Sequence, residues 1–281
     1  MILIAESGSS KTDWAIIDSG REWQFKTKGI HPFHYNGESL IEEISEQFPQ
    51  SLKAENISKF YFFGPGCTKP ERCTDLKQTL QSVFRNASIY LGSDLLGAGI
   101  ALFGAEKGIA CILGTGSNSG LYADNKIIKT PLSTGYILGD EGSGAHMGLG
   151  LIKLYLHAQL PKEMNEKLES MNQLTPESVI DSIYRKPYPN RYLASFAPFI
   201  KQNIHIDLIQ KVVNESFSDF FKWYILPFQE FRNLPVGFVG GIASHFETQL
   251  LEQAQKNKIE VKQINIRPIE ALKQNLNLIH R

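Results

Sequence analysis

One hairpin design occurs twice in the chain, 108 positions apart, and this repetition limits the possible folds more than any other feature. The apolar run Ile2 to Ala5 ends at Glu6 and enters a turn of small residues, Ser7-Gly8-Ser9-Ser10, after which Thr12 to Asp18 reads as a second strand. Gly116 stands 108 positions after Gly8 in the same setting: the apolar run Ala110 to Leu113, the turn Gly114-Thr115-Gly116-Ser117-Asn118, then Ser119 to Ala123. Two hairpins of one pattern, each opening half of the chain, indicate a duplicated architecture.

The segments behind each hairpin also correspond. The first half reads as a strand Trp23 to Lys28, a helix Ser39 to Gln47, a strand Lys59 to Phe63, a helix Pro70 to Phe84, a strand Ser88 to Leu91 and a helix Leu95 to Phe103. That order is βββαβαβα. The second half repeats it more loosely, with a strand Lys126 to Lys129, helices between Ser143 and Phe231, a strand Val236 to Val239, a helix Ile242 to Ala254, a strand Ile259 to Ile264 and a last helix Ile269 to Leu278. Glycines at 104 and 108 bracket a short polar stretch and permit a hinge. The expected class is α/β, with domains at 1–104 and 105–281 flanking a cleft, a helical insertion in the second, and a last helix free to pack back on the first. The aromatics of Phe217 to Ile225 recur at helical spacing and read as core.

Composition narrows the function. At 281 residues the chain exceeds what one core comfortably fills, and its 42% hydrophobic and 21% charged content is that of a globular protein. Lys plus Arg and Asp plus Glu number 29 each, so no general field draws it to nucleic acid or an anionic membrane. The start has no basic region and its apolar run stops at Glu6, so neither a signal peptide nor a membrane span is expected and a cytoplasmic location is. Cys67, Cys73 and Cys111 form no CxxC pair and the seven histidines no HExxH, so structural zinc is not expected.

Phosphoryl transfer asks a protein for donors around phosphates, a Mg²⁺ site and a carboxylate that orients and deprotonates the attacking hydroxyl. Both turns have the small residues that let backbone N–H groups converge on a phosphate, and Ser7, Ser9, Ser10, Thr12, Thr115 and Ser117 add hydroxyls and Lys11 a cation. Ordinary hairpin turns remain the alternative. Glu6 ends an apolar strand where it could hold Mg²⁺ through water, or could simply reach solvent. Asp94 follows a strand and precedes an apolar helix, a place for a general base and equally for a helix N-cap. Asp140 in Gly139-Asp-Glu-Gly-Ser143 could bond sugar hydroxyls, or cap the following helix. Gly240 and Gly241, between a strand and a helix start, would let a flat adenine lie against the backbone.

In their order and spacing these motifs resemble the N-acetylglucosamine kinase and BadF-type ATPase group of the acetate kinase, heat-shock chaperone and actin superfamily. The resemblance implies two actin-like, ribonuclease H-like domains. Ala5 to Trp14 resembles the first phosphate loop, Gly114 to Asn118 the second and Phe238 to Ala243 the adenosine motif. It implies that Asp94 is the catalytic aspartate and that Asp94, Asp140, Gly66 and His31 contact the sugar, with His31 where the family usually has Asn. Glu6 and Ser10 stand where bacterial members commonly have Asp and Thr. The activity implied is transfer of the γ-phosphoryl group of Mg-ATP to an amino sugar, N-acetylglucosamine first, by a protein whose relatives are often homodimers. Two alternatives stay open: an ATP-driven activator of a reductase or dehydratase, with Cys67 and Cys73 as its candidate iron–sulfur ligands, and a non-catalytic sugar or nucleotide sensor.

Overall fold

The computed structural model describes residues 1–32, 35–68, 70–275 and 278. Among the described residues ten strands form two five-stranded sheets: β1 (Ile2–Ser7), β2 (Lys11–Asp18), β3 (Arg21–Lys28), β4 (Lys59–Gly64), β5 (Ser88–Ser93), β6 (Gly108–Leu113), β7 (Ser117–Ala123), β8 (Lys126–Lys129), β9 (Val236–Val239) and β10 (Val261–Asn265). The first sheet has the order β3-β2-β1-β4-β5 and the second β10-β9-β6-β7-β8. The two orders are the same once each half is numbered from its own first hairpin. In the first sheet β1 is antiparallel to β2, β2 is antiparallel to β3, and the pairs β1–β4 and β4–β5 are parallel. Parallel neighbours need crossovers, which the helices Gly37–Gln47 and Thr74–Val83 provide.

The chain divides into two compact units. The first comprises residues 1–111, 120–130 and the described residues from Asn265 on; the second comprises 112–119 and 131–264. The division is therefore not a single cut after residue 104. In the first unit β1, central in its sheet, buries Leu3, Ile4 and Ala5 on both faces, as a strand covered from two sides must. Trp14 stacks on Phe25 at 5.1 Å, packs on Phe60 and Phe84, and donates its indole N–H to Thr27 Oγ1 at 2.9 Å. The helix Pro268–Gln274 belongs to the same unit because it lies on helix Asp94–Phe103 and on β1 and β2. Asn275 donates to the Ile100 carbonyl at 3.0 Å, and Lys273 pairs with Glu22 and Glu270 at 2.5 Å each. This last helix, expected to run to Leu278, ends at Gln274, and residues 276 and 277 of the expected span lie outside the described residues.

The second unit is built on helices Gly144–Leu156, Ala197–Gln202 and Asp207–Phe220, with Met147, Leu151, Phe199, Ile200, Val213, Phe217 and Phe220 buried. The segment expected as one helix from Ile242 breaks at Phe246 into Gly241–His245 and Glu247–Lys256. The aromatic stretch is core as expected except for Trp223, which is exposed, and its end, Phe221–Ile225, is wound as a π-helical turn. No described helix is long and apolar enough to cross a membrane. Truncating the indole at the centre of the first unit, Trp14→Ala, is expected to lower unfolding stability by about 3–5 kcal/mol in urea titrations.

Candidate active site

The first turn joins β1 to β2 within the first unit, closed by the Gly8 N–H donating to the Lys11 carbonyl at 2.9 Å. Two of its hydroxyls are consumed in building it. Ser7 Oγ lies 2.8 Å from Thr12 Oγ1, accepts from the Ile30 amide at 2.9 Å and donates to the Ile30 carbonyl at 3.1 Å, and both side chains are fully buried. Ser7 and Thr12 therefore shape the turn from inside, and among its expected polar side chains those of Ser9, Ser10 and Lys11 reach the surface. Lys11 Nζ is 2.5 Å from Asp13, which also faces Lys26. No sequence signal marks Gly29, yet a Cβ there would overlap the Gly8 carbonyl and come within 2.6 Å of the Ser9 carbonyl, so the end of β3 presses its bare backbone on the turn. Only a position lacking a Cβ permits that approach.

Beside the turn, carboxylates crowd. Burial, then the neighbouring Asp13 and, more weakly, Asp94, push Glu6 up to about 7, with Lys11 acting the other way. Burial pushes Asp94 up to about 6 against the Leu95 amide, which donates to Asp94 Oδ1 at 2.8 Å and favours the charged form. The capping alternative for Asp94 is excluded by its neighbour: Ser93 is the N-cap of helix Asp94–Phe103, its hydroxyl accepting from the Leu96 amide at 3.1 Å. Asp94 is left as a desolvated carboxylate at the first helical position.

Among the expected sugar contacts of this unit, His31 is half-buried after the β3 end, and its segment runs on to Phe33, which lies outside the described residues. Gly66 sits in the turn after β4 with φ +76°. That turn leads to Cys67, whose sulfur is 2.9 Å from that of Cys73, both buried. Among the described residues no three His, Cys, Asp or Glu side chains are grouped to hold a metal directly.

The second turn, in the second unit, is closed by the Gly114 amide donating to the Gly116 carbonyl at 3.0 Å. It is pinned from below by the start of helix Gly144–Leu156, whose Gly144 and Ala145 amides donate to the Gly114 and Thr115 carbonyls at 2.8 and 3.1 Å. Here too the cap is a serine and not the acid: Ser143 Oγ accepts from the His146 amide at 3.1 Å. Asp140, at φ +56°, turns its carboxylate onto the second turn instead, accepting from the Ser117 amide at 3.3 Å and lying about 3.0 Å from where a Gly116 side chain would begin. Burial raises its carboxyl, and the Ser117 amide opposes the rise. Ser117 Oγ is buried with the Tyr224 hydroxyl as its polar neighbour, while Asn118 Oδ1 accepts locally from the Ser119 amide at 2.9 Å. Gly240, at φ +111°, lies so close under this turn that a Cβ would overlap the Leu113 carbonyl, and Gly241 begins the next helix. The expected adenosine motif and second phosphate turn are thus one packed element.

An inferred N-acetylglucosamine kinase of Porphyromonas gingivalis is 38% identical to this chain, each covering 100% of the other, with a TM-score of 0.93. The chain belongs to the N-acetylglucosamine kinase family. A second inferred N-acetylglucosamine kinase, from Chromobacterium violaceum, is 17% identical with a TM-score of 0.69, covering 99% of this chain and 98% of its own. MreB 5 of Spiroplasma citri, solved bound to AMPPNP, is 9% identical with a TM-score of 0.61, over 99% of this chain and 95% of its own. These last two share the fold, which is the actin-like ATPase fold with two domains. No family model matches the chain, and no curated protein does.

Two substitutions test the first-unit geometry of this family member. Gly29→Ala should destabilise by about 1–3 kcal/mol, because backbone and not a flexible side chain must yield, and hydrogen exchange should show faster opening at Gly8 to Lys11. For Glu6 the folded value of about 7 exceeds the ordinary 4.5, so the folded state holds more protons between those values and its stability falls as pH rises through that window, then levels off. Glu6→Gln should accordingly be more stable than the parent at pH 8, by about 1–3 kcal/mol, with the gap closing at pH 4 in paired urea titrations.

Proposed function

We propose that this protein transfers the γ-phosphoryl group of ATP to a hydroxyl of an amino sugar, with N-acetylglucosamine the first candidate. The observation that carries the reading is Asp94: a half-buried carboxylate that desolvation raises to about 6, with the N-cap position taken by Ser93, on the unit that also bears the first small-residue turn. A base held near neutrality is matched to taking a proton from a sugar hydroxyl as the phosphoryl group arrives. Membership of a family named for that reaction supports the same reading.

The division of labour follows from the local geometry. Backbone amides of Ser9, Ser10, Thr115 and Gly116 are the phosphate donors, with the Ser9, Ser10 and Ser117 hydroxyls and Lys11 beside them. Lys11 would exchange Asp13 for phosphate. Gly240 and Gly241 leave bare backbone for the adenine. Asp94, Asp140, His31 and Gly66 recognise the sugar, and His31 in place of an amide side chain bears on which sugar is preferred. Mg²⁺ fits the first unit: Glu6, Asp13 and Asp94 are three carboxyls against the two lysines Lys11 and Lys26, and a cation that keeps most of its water needs only one or two such carboxylates plus phosphate oxygens. Glu6 would hold it through water, and the ion would neutralise charge on the phosphates. The cytoplasm, where ATP is abundant, is the proposed compartment.

A coupled ADP-release screen over N-acetylglucosamine, N-acetylmuramic acid, glucosamine, N-acetylmannosamine and glucose tests this reading; no sugar raising the rate above the sugar-free background would reject it. With the best sugar, kcat/KM should climb from pH 5 to pH 7, because Asp94 must be ionised to accept the proton. Asp94→Asn should remain folded and lose about 10²–10⁴-fold in kcat; a variant with near-parental turnover would remove Asp94 from the base role.

A further inference from the structure

Tyr224 stands in the π-helical turn Phe221–Ile225, an uncommon winding that adds a residue to the turn and is found disproportionately at functional sites. Its two polar groups bond to two different pieces of the second unit's site. The Tyr224 carbonyl accepts from Ser119 Oγ at 2.5 Å, three positions beyond Gly116. Its hydroxyl oxygen accepts from the Asp140 amide at 3.1 Å, and Asp140 in turn accepts from the Ser117 amide. The ring has no freedom to leave: it stacks on Phe220 at 5.1 Å with an interplanar angle of 8° and is 3% exposed. Gly139 is needed beside it, since a side chain there would begin 3.0 Å from the Tyr224 oxygen.

An ordinary α-helical end would satisfy its carbonyls within the helix or in water. Here the wider winding turns a carbonyl and a hydroxyl of one residue toward the second turn and the Asp140 segment together. We propose that Tyr224 is a positioning residue for nucleotide phosphate, holding the amides of Thr115 and Gly116 in their donor geometry by fixing both Ser119 and the left-handed backbone at Asp140, whose carboxylate takes the Ser117 amide. The inference rests on the kinase reading for its ligand, and on the hydrogen bonds of the second unit for its mechanism. Tyr224 acts through these neighbours and itself touches no phosphate.

Tyr224→Phe keeps the ring and its stacking and removes only the hydroxyl, leaving the Asp140 amide without its partner. Calorimetric titration with AMPPNP, which needs no turnover, should show affinity weakened about tenfold, and steady-state assays should show KM for ATP rising by a similar factor with a smaller change in kcat. Ser119→Ala, which cuts the other bond, should weaken AMPPNP in the same way, and the double variant should fall short of the product of the two. A purely structural role would lower the melting temperature of Tyr224→Phe while leaving AMPPNP affinity at the parental value, and that result overturns the proposal. A parent that binds no AMPPNP overturns both this inference and the kinase reading. A parent that binds it but phosphorylates no sugar removes the kinase reading alone, because the comparison of AMPPNP affinities still decides the role of Tyr224.

Discussion

Backbone pressed on backbone is the constraint under the small-residue turn of each unit. At the first turn Gly29 sits against the Gly8 and Ser9 carbonyls, and at the second Gly240 sits against the Leu113 carbonyl, each nearer than any side chain permits. A turn whose floor is peptide has its carbonyls occupied from beneath and its amides left to converge above. The sheets, helices and caps around each turn then serve to keep that floor rigid: the Ser7–Thr12–Ile30 bonds in the first unit, the Gly144 and Ala145 amides in the second.

Charge is distributed unevenly over this frame. The first unit gathers Glu6, Asp13 and Asp94 near two lysines, Lys11 and Lys26, with two of the carboxyls raised toward neutrality by burial. Isolated carboxylates so placed weaken a folded protein at neutral pH, and they persist where a cation or a proton transfer makes use of them. In the second unit Asp140 bonds to the turn, with Glu141 beside it. The serine caps at 93 and 143 belong to the same logic, since each takes the N-cap position that Asp94 or Asp140 could otherwise have been expected to fill.

Much of the fold was legible in the chain because its signals are local. An apolar run, a turn of small residues and a second run specify a hairpin wherever they occur, and their recurrence at Gly8 and Gly116 made the two sheets with matching strand order an expectation that the structure meets. Other features depend on what the chain meets far from itself. Ser93 and Asp94 are both good caps, and only the folded geometry decides between them. Ser7 and Thr12 carry the same hydroxyls as Ser9 and Ser10, and burial against Ile30 separates the two pairs. Gly29 has no local signal, since its importance comes from a turn two strands earlier in the chain, and the π-turn at Tyr224 differs from a helix by one residue of winding without any change in composition.

The central claim is that the terminal phosphoryl group of ATP ends on a sugar oxygen. Phosphorus-31 NMR of the protein with Mg-ATP and N-acetylglucosamine reads that fate directly. The account predicts ADP together with a new phosphomonoester resonance that is absent when the sugar is left out; ADP accompanied only by inorganic phosphate, at the same rate with or without sugar, would contradict it.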